Sequence, residues 1–414
     1  MLGDSLSDIG NKWTWPSGEL GRMFGAMRVN ETGRFSDGKN WTDFLVDWCS
    51  GESLMWGNRD LTIRRSADFR RLSRDSVLGV NTWEAPEIAP WKTVEEYLAR
   101  SRERDRQPTT TGQQITYVNY AMGGCIVTRD WGLAPKFGML TDLREQVTDY
   151  VRERGAMAGA FSGATLHVIW IGLNDFVTVE RPDYDPGVVT TLPTTNDFAA
   201  WQAWSQAHPE DLSNGVGAFP AVAEVRSLVE QIRSTFPDTA QSPNHFMVID
   251  LPSVYNAIRY MEGLGEPRKV ARAAEIDPVI RRYNALLDSL VHHWPAGPHA
   301  PAPGTVHLVR MSRWMDHVSQ NLDTWKLSKL AQEKGVPVFY RPGVPGTPDK
   351  DPAQDVRRRI TTSDLGHPTE AVYSLMTRYF VTRMLESGYT LGRLTRDAWA
   401  ERAPFRELPL DVPN

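Results

Sequence analysis

The sequence predicts an α/β protein built on a mainly parallel central sheet flanked by helices. Three observations lead there. Apolar, β-branched runs of strand length recur along the chain. Segments with helical periodicity separate them. The composition, 41% hydrophobic and 23% charged over 414 residues, is that of a soluble globular protein able to bury a large core. Strands that alternate with helices favour a parallel sheet, because parallel neighbours need long crossover connections.

Taken in order, the first strand-like run is 115–118, where Ile115, Thr116, Tyr117 and Val118 are β-branched or aromatic. Asp142 to Arg154 follows with Leu143, Val147, Tyr150 and Val151 on one helical face. Residues 165–171 read as a buried strand, and 245–250 and 305–310 repeat that pattern, with a shorter run at 336–340. Val279 to His293 is a helix between two of them. Near the C-terminus, Val372, Leu375, Met376 and Tyr379 fall at i, i+3, i+4 and i+7. That spacing predicts an amphipathic helix with Pro368 in its first turn.

Four short blocks carry the chemistry. Gly3-Asp4-Ser5-Leu6-Ser7-Asp8 offers a hydroxyl nucleophile. A serine hydroxyl is weak until a base removes its proton, and the base is usually a histidine oriented by a carboxylate. Asp364 and His367 lie three residues apart, so one short loop presents both. The developing oxyanion needs donors. Asn119-Tyr120-Ala121-Met122-Gly123-Gly124 follows a strand-like run, and its glycines allow a backbone N–H to approach a ligand closely. Gly172-Leu173-Asn174-Asp175 follows another, which puts the Asn174 amide at a strand's C-terminal end, where open α/β sheets place their sites.

Together these blocks resemble the GDSL family of esterases and lipases, the SGNH hydrolases. Gly33-Arg34-Phe35-Ser36-Asp37-Gly38 and His367-Pro368-Thr369 extend the match. The resemblance implies a three-layer α/β/α sandwich, here a single domain over 1–414 enlarged by insertions at about 51–114 and 176–243. It implies Ser5 as nucleophile, His367 as base and Asp364 as the group that orients it. The oxyanion donors would be the Ser5 N–H, the Gly124 N–H and the Asn174 side chain. Average residue usage puts G-D-S-L in about one chain in a hundred of this length by chance, and D-x-x-H in about half, so the order of all four carries the argument. Family members place an apolar strand directly ahead of the serine block; here Met1 and Leu2 stand there.

The expected function is acyl-ester hydrolysis through an acyl-enzyme on Ser5. The alternatives are acyl transfer to an alcohol acceptor such as a lipid, sterol or sugar, and an inactive binding module that keeps the fold. No cofactor or metal is implied, since no cysteine–histidine cluster suggests zinc. The expected partner is a small-molecule ester. A net charge of −5 argues against nucleic acid, and no apolar run reaches the ~18 residues of a membrane span. No signal-peptide pattern opens the sequence, which leaves localisation open.

Several features read as packing or surface. Asp4 and Asp8 shape the serine turn, and Asp175 supports its loop. Cys125 reads as a buried packing residue beside the oxyanion hole. Two cysteines, Cys49 and Cys125, make no disulfide framework. Trp13 and Trp15 read as packing in a chain of 15 tryptophans. The run Arg100–Arg106 reads as solvated surface, and so does the more basic run Arg64–Arg74, with contact to an anionic surface as its alternative. Gly51-Glu52-Ser53-Leu54 lacks the aspartate of the serine block and reads as a loop. Asn30 and Asn40 open glycosylation sequons. Pro182, Pro186, Tyr184, Trp201 and Trp204 in the second insertion are candidates for a lid or acceptor wall, or for plain packing.

Overall fold

The computed structural model describes residues 1–14, 18, 29, 34–36, 39–50, 81–85, 113–127, 140–156, 163–178, 192–209, 217–239, 242–262, 265–294, 306–327, 366–389, 395–403, 405 and 407–412. In chain order the elements are β1 (Leu2–Gly3), α1 (Asn11–Thr14), α2 (Trp41–Ser50), β2 (Asn81–Ala85), β3 (Gln113–Tyr117), α3 (Leu143–Ala156), β4 (Thr165–Trp170) and α4 (Leu173–Val177). They continue with α5 (Phe198–Ala207), α6 (Ala218–Thr235), β5 (Asn244–Ile249), α7 (Pro267–His292), β6 (Val306–Val309), α8 (Met311–Gln320), α9 (Glu370–Glu386) and α10 (Arg396–Arg402). The chain is of the α/β class. Strands β1, β4, β5 and β6 form a four-stranded sheet in the order β1-β4-β5-β6, and every neighbouring pair is parallel. Among the described residues no helix is long and apolar enough to cross a membrane.

Two compact units divide the chain. The first comprises Met1–Ser5, Tyr120–Tyr255 and Arg268–Ser312; the second comprises Leu6–Asn119, Asn256–Pro267 and Arg313–Asn414.

The first unit holds the whole parallel sheet. Val168, Ile169 and Trp170 of β4 and Phe246 to Ile249 of β5 are buried, so these strands read as unbroken apolar runs. Helix α3 covers β1 and packs on α6. Helix α6 occupies the connection between β4 and β5 and buries Val222, Val225, Val229 and Ile232. It lies within the stretch 176–243. Trp201 of that stretch stacks on Phe219, with ring centroids 5.9 Å apart, and both are core. Pro182, Tyr184 and Pro186 lie outside the described residues.

At the N-terminal ends of β4 and β5 a buried polar cluster links helix to sheet. The Arg154 guanidinium donates to the Tyr150 hydroxyl at 2.6 Å and to Asn244 Oδ1 at 2.9 Å. Tyr150 Oη lies 2.7 Å from His167 Nε2, and His167 stacks on Phe246. Burial, with Arg154 beside it, holds the His167 imidazole well below its usual pKa, so it stays neutral here.

In the second unit, α9 packs against α2. Val372, Leu375, Met376 and Tyr379 are buried as the periodicity predicts, but so are the other faces: only Arg383 and Glu386 of α9 escape full burial. The helix is therefore central, not amphipathic. Three of its hydroxyls reach carbonyls of the helix itself, Ser374 that of Ala371, Thr377 that of Tyr373 and Thr382 that of Arg378, and Thr377 also reaches Trp41 O. Arg378 donates to the carbonyls of Leu408 and Pro409, and burial lowers its pKa to about 10. Helix α9 begins after Thr369, whose hydroxyl accepts from the Val372 N–H. Pro368 thus precedes the cap and does not stand in the first turn.

Two further expectations need correction. The run at 115–118 is a strand, but β3 pairs antiparallel with β2, with Ile115 opposite Trp83, and is no part of the parallel sheet. The helix expected from Val279 starts at Pro267 and carries Pro278 within it. Burial of Ala273 and Ile276 before that proline, and of Val279, Ile280 and Tyr283 after it, outweighs the lost hydrogen bond. The strand expected at 336–340 lies outside the described residues, as do the decoy at 51–54 and both arginine-rich runs.

Candidate active site

Ser5, Gly124 and Asn174 all belong to the first unit. Ser5 lies two residues beyond Gly3, at the C-terminal end of β1, and is 8% exposed. Strand β1 has only two residues, yet its main chain is well tied. Leu2 and Gly3 pair in parallel with Ile169 and Trp170. On the other side, Tyr120 N donates to Met1 O at 2.8 Å and Met122 N to Gly3 O at 3.0 Å. The block Tyr120–Met122 thus runs alongside β1. Gln146 supplies the rest: its Oε1 accepts from Gly3 N at 2.9 Å and its Nε2 donates to Gly3 O at 2.7 Å.

Gly124 occupies a turn closed by Cys125 N donating to Met122 O at 3.0 Å. Its φ is +78°, the left-handed value that the third residue of a type II turn requires, and a Cβ there would meet Leu140 Cδ2 at 3.1 Å. Glycine is demanded by the backbone. Gly172 meets the same constraint more severely, at φ +125°, and caps the short helix α4 that carries Asn174.

The Asn174 side chain is oriented by two partners. Its Nδ2 donates to Cys125 O at 3.1 Å, and its Oδ1 accepts from the Thr178 hydroxyl at 2.7 Å. A carbonyl can only accept, so the amide cannot be flipped. An amide nitrogen has two hydrogens, and among the described residues the second is uncommitted. Asp175 braces the same loop: its carboxylate accepts from Val127 N at 2.8 Å, a supporting role as expected.

Cys125 is fully buried, and burial pushes its thiol well above the ordinary value. The thiolate is therefore not formed near neutral pH, which agrees with a packing role. Asp250, at the C-terminal end of β5, is a second buried acid in this unit. It accepts from Ser312 N at 2.7 Å and from the Ser312 hydroxyl at 2.5 Å, and burial raises its pKa to about 7.

His367 belongs to the second unit and is half-buried. Its ring lies on Phe35, with centroids 4.9 Å apart and planes tilted by 36°. Phe35 comes from the Gly33–Gly38 block, and the Tyr373 hydroxyl of α9 donates to its carbonyl. Arg34 of that block makes a two-pronged, buried ion pair with Asp43. Asp364 lies outside the described residues, as do Trp15, Cys49's side chain and that of Trp13.

The segment after Ser5 is fixed within the second unit by asparagines. The Asp8 carboxylate accepts from the N–H groups of Gly10, Asn11 and Lys12, which caps α1 and shapes the turn. Asn119 Nδ2 donates to Ser7 O, and Asn11 Nδ2 to Asn119 O. Asn40 donates to Asp8 O while its Oδ1 caps α2 through Thr42 and Asp43. At 1% exposure this sequon asparagine is closed to modification in the folded chain; Asn30 lies outside the described residues.

Sequence reasoning missed Gln146, although a signal was there. It stands at i+3 from Leu143 on a face otherwise apolar, and a polar residue in such a stripe needs a buried partner. No protein-family model matches this chain, and no curated protein matches it.

Proposed function

We propose that the chain is a serine-dependent carboxylic ester hydrolase that works through an acyl-enzyme on Ser5. The observation that carries the reading is the grouping in one unit of Ser5 at a strand end, Gly124 in a left-handed turn and Asn174 with an N–H to spare. These are the elements of a nucleophile and an oxyanion hole. The Ser5 oxygen attacks the ester carbonyl carbon while His367 takes its proton. The oxyanion is held by the N–H groups of Ser5 and Gly124 and by Asn174. The tetrahedral intermediate expels the alcohol, which receives the proton from His367. Water, deprotonated by His367, then attacks the acyl-enzyme, and the acid leaves as Ser5 regains its proton. Asp364 orients the imidazole throughout. The proposal includes the finer fold assignment, a three-layer α/β/α sandwich of the SGNH hydrolase type with the parallel sheet at its centre.

A fluorophosphonate probe tests it. Labelling of the parent at Ser5, lost in Ser5→Ala, is expected, together with a fall of about 10⁴-fold or more in p-nitrophenyl ester turnover for Ser5→Ala or His367→Ala. An unlabelled parent with no turnover leaves the binding-module reading instead. Transfer products above the mole fraction of added alcohol would make the enzyme an acyltransferase.

A further inference from the structure

One arginine grips the loop that leads into His367. A Cβ at Gly366 would stand 2.3 Å from Arg259 Nη2, 2.5 Å from Cζ and 2.6 Å from Nε. The Nε–Cζ–Nη2 side of the guanidinium thus fills the space that a side chain at position 366 would need. Arg259 is itself held from behind. A Cβ at Gly265 would lie 2.4 Å from Arg259 O, and the Glu266 N–H donates to that same oxygen at 3.0 Å. The neighbours of Arg259 in the chain, Ile258 and Tyr260, are both core. Neither Gly265 nor Gly366 adopts a positive φ. What both positions use is the missing side chain: one lets the main chain close on Arg259, the other lets the guanidinium lie on the main chain next to His367. The His367 ring also packs on Phe35.

We propose that Arg259 is a positioning residue for His367: its guanidinium, packed against Gly366, sets where the main chain holds the imidazole. The inference rests on the reading of His367 as the base. A lysine in its place would keep the charge but lacks the planar, branched head that fills the space at Gly366. An alanine at Gly366 would lift the guanidinium off and move the loop, and displacements of about 1 Å in a catalytic group cost up to about 100-fold in rate.

The test is a double-mutant cycle on a neutral p-nitrophenyl ester, with Tm measured for each protein. Arg259→Lys, Arg259→Ala and Gly366→Ala should each lower kcat by about 10- to 100-fold with KM unchanged. Gly366→Ala should cost far less in the Arg259→Ala background, because the atoms it displaces are gone. The imidazole resonances of His367 by NMR should shift in Arg259→Lys, a readout that needs no turnover. Additive losses, full rescue by lysine, losses confined to anionic esters, or an unmoved His367 resonance would each overturn the proposal. His367→Ala separates the two readings: if that variant turns over ester like the parent, the base assignment fails, whatever the cycle between Arg259 and Gly366 gives.

Discussion

Replacing Gln146 by methionine isolates the support that a side chain gives to β1, the strand ahead of Ser5. Methionine has nearly the volume of glutamine and fills irregular core space, so the packing term is small. Three hydrogen bonds disappear, the pair with Gly3 and the one from Nε2 to Cys125 Sγ. Gly3 O keeps the Met122 N–H, so losing the Nε2 donor leaves it satisfied. The bond from Gly3 N to Oε1 is different, because its loss strands a buried donor. An unsatisfied buried N–H costs about 1–3 kcal/mol, so about 2 kcal/mol of stability should go. Gln146→Glu sharpens the test. Protonated, it can accept from Gly3 N and donate to Gly3 O as glutamine does. Ionised, it sets a negative oxygen against Gly3 O and beside Cys125 Sγ, which glutamine now approaches at 3.0 Å. Burial and that repulsion raise the carboxyl's pKa in the folded state. The variant should therefore be close to the parent at pH 5 and lose stability as pH rises through the folded-state pKa. Urea unfolding followed by tryptophan fluorescence, together with fluorophosphonate labelling rate at Ser5, reads both effects. A methionine variant within about 0.5 kcal/mol of the parent, the scatter of ordinary surface changes, would refute the reasoning. So would a glutamate variant whose stability ignores pH.

Two further perturbations follow from the same unit. Asp250 has its pKa raised from 3.8 to about 7 by burial, so the folded chain holds the proton more tightly than the unfolded chain. Its contribution is greatest near and below pH 4 and is lost as pH rises to about 7, a linked change of ~4 kcal/mol at ~1.4 kcal/mol per pH unit. Asp250→Asn should flatten that slope and raise the urea midpoint at pH 7.5; slopes that coincide with the parent's would reject it. Gly172→Ala forces a side chain to φ +125° and puts its Cβ 3.2 Å from Tyr283 Cζ and 3.3 Å from Leu251 Cδ1. Backbone strain alone costs about 1–3 kcal/mol, so Tm should fall by several degrees in a calorimetric scan, and an unchanged Tm would contradict the geometry.

How far the sequence is legible depends on whether local signals or distant partners decide. Strands β4, β5 and β6 could be read to within a residue or two because both faces of a parallel sheet are covered, which leaves unbroken apolar runs. β3 has equally clear strand chemistry, but nothing local in Ile115 to Val118 names a partner, and the partner proves to be antiparallel β2. α7 was legible only after Pro278, since proline normally marks an end. α9 hid its central position: Val372, Leu375, Met376 and Tyr379 mark one apolar face, yet Ser374, Thr377 and Thr382 are buried too, each hydroxyl donating to a helix carbonyl. Gly124 and Asn174 were singled out from block order, and the φ of +78° at Gly124 is a backbone reason for glycine there. Gln146 and Arg259 were not singled out, and Asn40 only as the start of a sequon, because their partners include main-chain groups distant in sequence, and main-chain groups leave no letter to read.

That last point bears on the shortness of β1. A two-residue strand would be a poor platform for a nucleophile if strand length were what mattered. Rigidity at Gly3 comes instead from the number of independent restraints on its peptide groups. β4 holds one edge and Tyr120–Met122 the other, and a glutamine side chain reproduces the donor–acceptor pair of a further strand. The same three elements converge on the oxyanion candidates: Met122 O closes the Gly124 turn, Cys125 O fixes the Asn174 amide, and Gln146 touches Cys125 Sγ. The Gly3 main chain, the Gly124 turn and the Asn174 amide are thus tied to one another through shared main-chain partners and not merely placed on neighbouring strands. A change at any one of Gly3, Cys125 or Gln146 should be felt at all three, and energetic coupling among them, beyond the sum of single substitutions, is the signature such a network must show.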